Sequence, residues 1–182
     1  LKNYNGDLKI ITIIREPISR SISSFFQNID FYKNSIENHD LKIDELKAME
    51  IIKKNIYTSI NDIEDWFAQE IKYNFNINIK SEKSFLKKGF RCYQNNNTQL
   101  LLMRMEDLDS FFEIATQDFF KLKSGIKLKK YNIGNSKYYS KQYKNIKSQI
   151  KLEKKDIVKI VSSNYFKEFY FDKTKETVKK YS

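Results

Sequence analysis

Leu8-Lys9-Ile10-Ile11-Thr12-Ile13-Ile14 is a short, β-branched apolar run, which suits a buried parallel strand better than a helix. Behind it Ile18, Ile22, Phe25, Phe26 and Ile29 recur at helical spacing and predict one long helix over 17–32. Pro17, the only proline, stands where that helix begins, a position that tolerates a missing N–H. Residues 43–56 read as an amphipathic helix with Ile43, Leu46, Met49 or Glu50, and Lys53 sharing faces. A further helix over 62–75 is capped by Asn61-Asp62 and striped by Trp66, Phe67, Ile71 and Phe75, with Trp66 as a core residue. Phe90 to Tyr93 and Gln99 to Met105 predict two strands joined by the turn-forming Asn95-Asn96-Asn97. Helices follow over 109–121, 137–149, 153–162 and 172–181, with an aromatic cluster from Tyr165 to Phe171. Glu106-Asp107 falls just before the first of these, so helix capping by Asp107 or Asp109 is preferred to catalysis for this acidic pair. The stretches 33–42, 76–91 and 122–136 read as loop or irregular chain. No repeat and no Pro/Gly/Ser linker interrupts residues 1–182, which are expected to form a single domain.

The first junction carries the most chemistry. A strand runs into Arg15-Glu16-Pro17-Ile18-Ser19-Arg20-Ser21-Ile22-Ser23, so Arg15 at the strand end and Ser23 on the helix can converge at the carboxyl edge of a sheet. A guanidinium and a hydroxyl together make a phosphate clamp, and Arg20 can join it or pair with Glu16. The chain has 34 Lys and Arg against 23 Asp and Glu, a net charge of +11, which favours anionic partners. Lysine dominates that charge; the arginines are Arg15, Arg20, Arg91 and Arg104, two of them in this one motif. Lys137, Tyr138, Tyr139, Lys141, Tyr143 and Lys144 mix rings and cations; such a set stacks a base and neutralises phosphate, or is an ordinary helix with solvated lysines. Glu70 is a weak candidate base, with a salt bridge or an exposed helix position as the preferred reading. His39, the lone histidine, sits in a polar loop, and Cys92 reads as a small buried hydrophobe in a strand. A single cysteine permits no internal disulfide, and no Cys/His/Asp cluster stands at metal-ligand spacing. No run approaches the roughly 18 apolar residues of a membrane span.

The Arg15-x-Pro17-x-x-Arg20-x-x-Ser23 stretch, followed by Phe25 and Phe26, resembles the 3′-phosphate-binding motif of sulfotransferases that use 3′-phosphoadenosine 5′-phosphosulfate (PAPS). Leu100-Leu101-Leu102-Met103-Arg104-Met105-Glu106-Asp107-Leu108 is similar to a later strand and Arg-x-Glu-Asp-Leu segment of those enzymes. Ile63 to Ile71 and Asn135 to Ser140 resemble bacterial proteins described as capsular polysaccharide synthesis proteins, a sulfotransferase-like group. The resemblance implies an α/β, P-loop-type three-layer domain with a small parallel sheet and many flanking helices. It implies that Arg15 and Ser23 hold the 3′-phosphate, with Arg20, Lys137 and Tyr139 as further nucleotide contacts. It also implies PAPS as donor, no metal, a glycan hydroxyl as acceptor, and a cytoplasmic site of action or one peripheral to a membrane. One departure stands out: no Gly-x-x-x-x-Gly-Lys-Ser/Thr is present, and the chain opens on Leu1 a few residues before the motif. It is therefore expected to be the C-terminal portion of a longer protein, without its P-loop unit. Three other readings remain: a catalytically inactive nucleotide- or glycan-binding protein, a relative of P-loop kinases, and a nucleic-acid-binding module. The last is disfavoured, because the basic residues are spread along the chain and no nucleic-acid-binding signature appears.

Overall fold

The computed structural model describes residues 6–36, 43–79, 89–129 and 137–182. Strand β1 (Leu8–Ile14) leads into α1 (Pro17–Gln27) and α2 (Ile29–Ile36). Helix α3 (Glu45–Trp66) continues as a π-helical stretch, Phe67–Tyr73. Strands β2 (Phe90–Asn95) and β3 (Thr98–Arg104) form a hairpin, followed by a 3₁₀ turn (Met105–Asp107) and α4 (Leu108–Phe120). Helices α5 (Ser140–Gln149), α6 (Lys154–Ser162), α7 (Asn164–Phe169) and α8 (Thr174–Tyr181) complete it, with a 3₁₀ turn (Phe171–Lys173) before the last. The described residues fall into two compact units made of interleaved segments. One lies within Leu1–Glu16, Asn61–Lys129 and Asn164–Asp172; the other lies within Pro17–Ile60, Lys130–Ser163 and Lys173–Ser182.

The first unit holds the sheet, of order β1-β3-β2. β1 and β3 run parallel from Leu8↔Thr98 to Ile14↔Arg104, while β2 is antiparallel to β3. The α/β class is as expected, and the small sheet carries one antiparallel strand beside its parallel pair. β3 is central, and Leu100 to Arg104 are all buried, because both faces are covered. One face sends Leu101 and Met103 against Leu108, Ala115 and Phe119 of α4. The other packs Leu100 on Ile71 and Ile77, with Ile10, Tyr93, Phe67 and Phe75 around them. Burying each such side chain contributes about 1.5–3 kcal/mol. The hairpin turns at Asn96, whose φ of 47° an Asn tolerates.

The second unit is helical. Ile18, Ile22, Phe25 and Phe26 of α1 and Ala48, Ile52, Ile56 and Ile60 of α3 are buried, together with Ile146, Ile157, Ile160 and Tyr181. Tyr57 donates to Asp156 (2.6 Å), Asn145 to Glu45 (3.1 Å), and the Leu152 N–H to the Tyr181 carbonyl (2.8 Å).

Several sequence expectations are corrected. The helix expected over 17–32 breaks at Asn28, where the backbone N–H is shared between the Ser24 (3.1 Å) and Phe25 (3.2 Å) carbonyls and the side-chain amide also donates to Ser24 (2.9 Å). The helices expected over 43–56 and 62–75 are one helix and its π-helical extension, so Asn61 and Asp62 are interior and cap nothing. Its buried stripe follows Ala48, Ile52, Ile56 and Ile60, while Leu46 is 70% exposed. Trp66 is 41% exposed rather than core, because the wider π turn puts Phe67, Ile71 and Phe75 on the packed side. Cys92 is an exposed strand residue. His39, Lys130 and Gly134 lie outside the described residues, as does part of the Asn135 to Ser140 stretch.

Candidate functional site

The parallel strands β1 and β3 end in a dense polar network inside the sheet-bearing unit. Arg104, 2% exposed at the end of β3, is its centre. Its Nε donates to Asp107 Oδ2 (2.5 Å), and its Nη1 donates to Asp172 Oδ1 (2.7 Å) and to the Phe169 carbonyl (3.1 Å). Its guanidinium also lies 5.7 Å from the centre of the Tyr170 ring. Desolvation alone would lower the Arg104 pKa, but Asp172 and Asp107 outweigh it and hold it above its ordinary value.

Glu106 secures the end of β1. One carboxylate oxygen accepts the Glu16 backbone N–H (3.0 Å), and the other accepts the Tyr170 hydroxyl (2.9 Å). The Arg15 carbonyl accepts the Tyr165 hydroxyl (2.9 Å), and Tyr165 N–H is in turn held by Glu64 (2.8 Å). The turn that starts the Arg15–Ser23 motif is therefore pinned on both sides of its peptide. Burial, first of all, pushes the Tyr170 phenol well above its usual range, and the nearby Tyr165, Glu106 and Glu16 add to this; it is a fixed donor, not a base. The sequence predicts that Asp107 or Asp109 caps the following helix. Asp107 occupies the N-cap of α4 but makes no side-chain cap bond, because its carboxylate is held by Arg104. Gly89 makes room for that arrangement: its φ is +65°, and a Cβ there would stand 2.5 Å from the Asp107 side chain.

The candidate ligand residues divide between the units. Arg15 and Glu70 belong to the sheet-bearing unit; Arg20, Ser23, Lys137 and Tyr139 belong to the helical one. Arg15 is half-buried directly after β1, and Glu70 is exposed on the π-helical stretch with the Asn74 amide 3.4 Å away. Within the helical unit, Arg20 Nη1 donates to both the carbonyl and the hydroxyl of Ser59, tying α1 to α3. Ser23 is half-buried, and among the described residues it engages no partner. Phe26 lies one turn further along α1 and packs on Tyr139 (5.1 Å) and edge-on to Tyr143 (5.3 Å). This brings the start of α5 beside the Ser23 region. The Tyr139 ring is thereby engaged with Phe26, and burial raises its phenol pKa. Lys137 is exposed just before α5.

A second feature escaped the sequence reading. At the amino end of the same sheet, Asp7, Leu8, Lys9, Gln94, Asn96, Asn97 and Gln99 line a cavity of about 260 Å³. Cys92, Tyr93, Gln94, Gln99, Asp118, Phe119 and Lys121 line a neighbouring one of about 240 Å³. The Cys92 sulfur sits in this groove, where desolvation and then Asp118 hold its thiol above its ordinary value, against the opposing pull of Lys121 and Lys9. A protonated thiol there is no nucleophile.

Residues 40–171 match the family model NKWYS, described as "Putative capsular polysaccharide synthesis protein". The chain belongs to this family. The match takes in Arg104, Glu106, Asp107 and Phe169 but stops one residue short of Asp172; it takes in the amino-end groove apart from Asp7, Leu8 and Lys9, and it excludes the Arg15–Ser23 motif. Comparison with curated proteins and with solved structures gave no match. Among the described residues, no group of three His, Cys, Asp or Glu side chains gathers as a metal site, and no helix is long and apolar enough to cross a membrane.

Proposed function

We propose that this protein transfers a sulfuryl group from PAPS to a hydroxyl of a capsular or cell-envelope polysaccharide. The family supports the polysaccharide half of the reading. One observation carries the donor half: Arg15-x-Pro17-x-x-Arg20-x-x-Ser23 leaves the carboxyl end of a parallel strand and opens a helix, the context in which α/β sheets take anionic ligands. The residue types, a guanidinium and a hydroxyl, suit a 3′-phosphate. Arg15 offers a planar fork at a backbone position fixed by Glu106 and Tyr165, and Ser23 offers a half-buried hydroxyl on α1. Arg20 acts here by holding α1 on α3 through Ser59. Lys137 adds charge near the start of α5, and Tyr139 supports it from Phe26.

PAPS, when bound, supplies a sulfuryl group already activated by its phosphate leaving group. The protein's part is to position that group and balance charge, as in phosphoryl transfer. Glu70 is exposed and meets the Asn74 amide at 3.4 Å, and no base is assigned.

The test is calorimetric titration with adenosine 3′,5′-bisphosphate, with AMP as control. Binding should require the 3′-phosphate, and Arg15→Ala should weaken it by about tenfold or more, as for loss of a charge-assisted pair worth about 1.5–3 kcal/mol. Arg15→Lys should recover only part, since lysine keeps the charge and loses the fork. Equal affinity for AMP, or no effect of Arg15→Ala, would reject the donor assignment.

A further inference from the structure

The groove at the amino end of the sheet lies opposite the strand ends that carry the Arg15 motif. Its floor is a row of side chains in register across all three strands, Lys9, Gln99 and Gln94. Asn96 and Asn97 of the hairpin turn close one end, and Asp118, Phe119 and Lys121 from the end of α4 close the other. The two cavities, of about 260 and 240 Å³, share Gln94 and Gln99, and each lies just below the roughly 300–1,000 Å³ of drug-sized ligand sites.

The lining is unusual for its amides. Each primary amide offers two donor hydrogens and two acceptor lone pairs without net charge. Gln99 reaches Gln94 only at 3.4 Å, and Gln94 reaches the Asn96 carbonyl at 3.5 Å, so both amides are loosely held and can turn to a ligand. Lys9 is already engaged: its ammonium donates to the Phe119 carbonyl (2.8 Å) and lies 5.3 Å from the centre of that ring. Asp7 and Asp118 balance Lys9 and Lys121, so a polyanion finds no net attraction here. A neutral ligand rich in hydroxyl and amide groups does find complementary partners. An acetamido group pairs with a primary amide through one N–H and one C=O, and its methyl meets the apolar edge of Phe119.

We propose that this groove is a carbohydrate subsite that holds an N-acetylated sugar residue of a polysaccharide chain. It rests on the polysaccharide half of the proposed function and is independent of the sulfuryl donor. The experiment is NMR titration of the full chain with N-acetylchitotriose, following the side-chain amide signals of Gln94, Asn96, Asn97 and Gln99, with maltotriose as control. The acetylated sugar should move these signals, and maltotriose should move them at least several-fold less. In the Gln94→Ala/Gln99→Ala variant, with folding checked by circular dichroism, affinity should fall about tenfold or more, from two lost hydrogen bonds of about 1 kcal/mol each. Silence of the four amides in the wild-type protein, equal response to maltotriose, or unchanged affinity in a folded variant would each overturn the proposal. Titration of the same samples with adenosine 3′,5′-bisphosphate keeps the two readings separable. Nucleotide binding without sugar binding rejects only the groove, and the reverse rejects only the donor site.

Discussion

Arg104 shows how one residue holds a strand end together. It is an ion buried to 2% exposure, and such burial is costly unless every donor is answered. Asp107 and Asp172 lie at 18% and 29% side-chain exposure, so each retains some water while neutralising the guanidinium. The Phe169 carbonyl adds a third acceptor and ties the end of α7 to the sheet. Arg104→Met keeps the length of the stem but leaves two carboxylates and a carbonyl without their donor. We expect a loss of about 3 kcal/mol, since breaking a buried pair from one side costs more than the pair contributes. Urea denaturation of the two proteins measures it. A loss below about 1 kcal/mol would place the pair with surface salt bridges and deny it the anchoring role. The signal for Arg104 was present in the sequence, as one of few arginines at the end of an apolar strand. Its partners were not legible, because Asp172 lies 68 residues away and Asp107 carries an equally good capping signal.

At the scale of the element, α4 ends with a compromise. Its C-cap, Lys121, is left-handed (φ 56°) and sends its N–H to the Gln117 carbonyl, a geometry that glycine adopts without strain. The chain beyond it is then fastened back on the helix, with the Ile126 N–H on Thr116 Oγ1 (3.0 Å) and Leu122 N–H on Gln117 (3.1 Å). Lys121→Gly should therefore stabilise the protein by about 0.5–1 kcal/mol, less than the roughly 1–2 kcal/mol of left-handed strain because glycine also frees the unfolded chain. A rise in the urea midpoint at constant slope would bear this out, and a fall would mean that the Lys121 side chain contributes more than its backbone costs. Elements like α4 and β3 were legible because their apolar spacing is set by one packed face. The break at Asn28 and the fusion of 45–66 were not. Asn28 and Asn61 are the same residue type, a good cap and a poor helix interior, and their opposite fates depend on packing that no local pattern encodes. The Arg15–Ser23 junction was legible as strand, turn and helix, whereas the amide groove was not, because it assembles only when β2 and β3 place Gln94 opposite Gln99.

For the whole molecule, charge is the dominant fact. The excess of 34 Lys and Arg over 23 Asp and Glu leaves +11 charges, a surplus that ion pairing cannot remove. Like charges held on one folded chain repel, and unfolding relieves part of that repulsion. Raising salt from about 0.01 M to about 0.15 M shortens the screening length from roughly 30 Å to roughly 8 Å and removes most of the long-range part. The buried Arg104 network, with little water between its partners, is screened far less. Thermal stability at neutral pH should therefore rise with sodium chloride over that range, and scanning calorimetry at constant protein concentration measures it. The anion offers a second arm. If the excess charge gathers at a built anion site, sulfate or adenosine 3′,5′-bisphosphate should stabilise well beyond chloride of equal ionic strength, because a specific ligand adds its own binding free energy to the native state. If the lysines are only solvated helix faces, the salts should act alike at matched ionic strength. A melting temperature that falls with salt would show that local ion pairs outweigh the net repulsion.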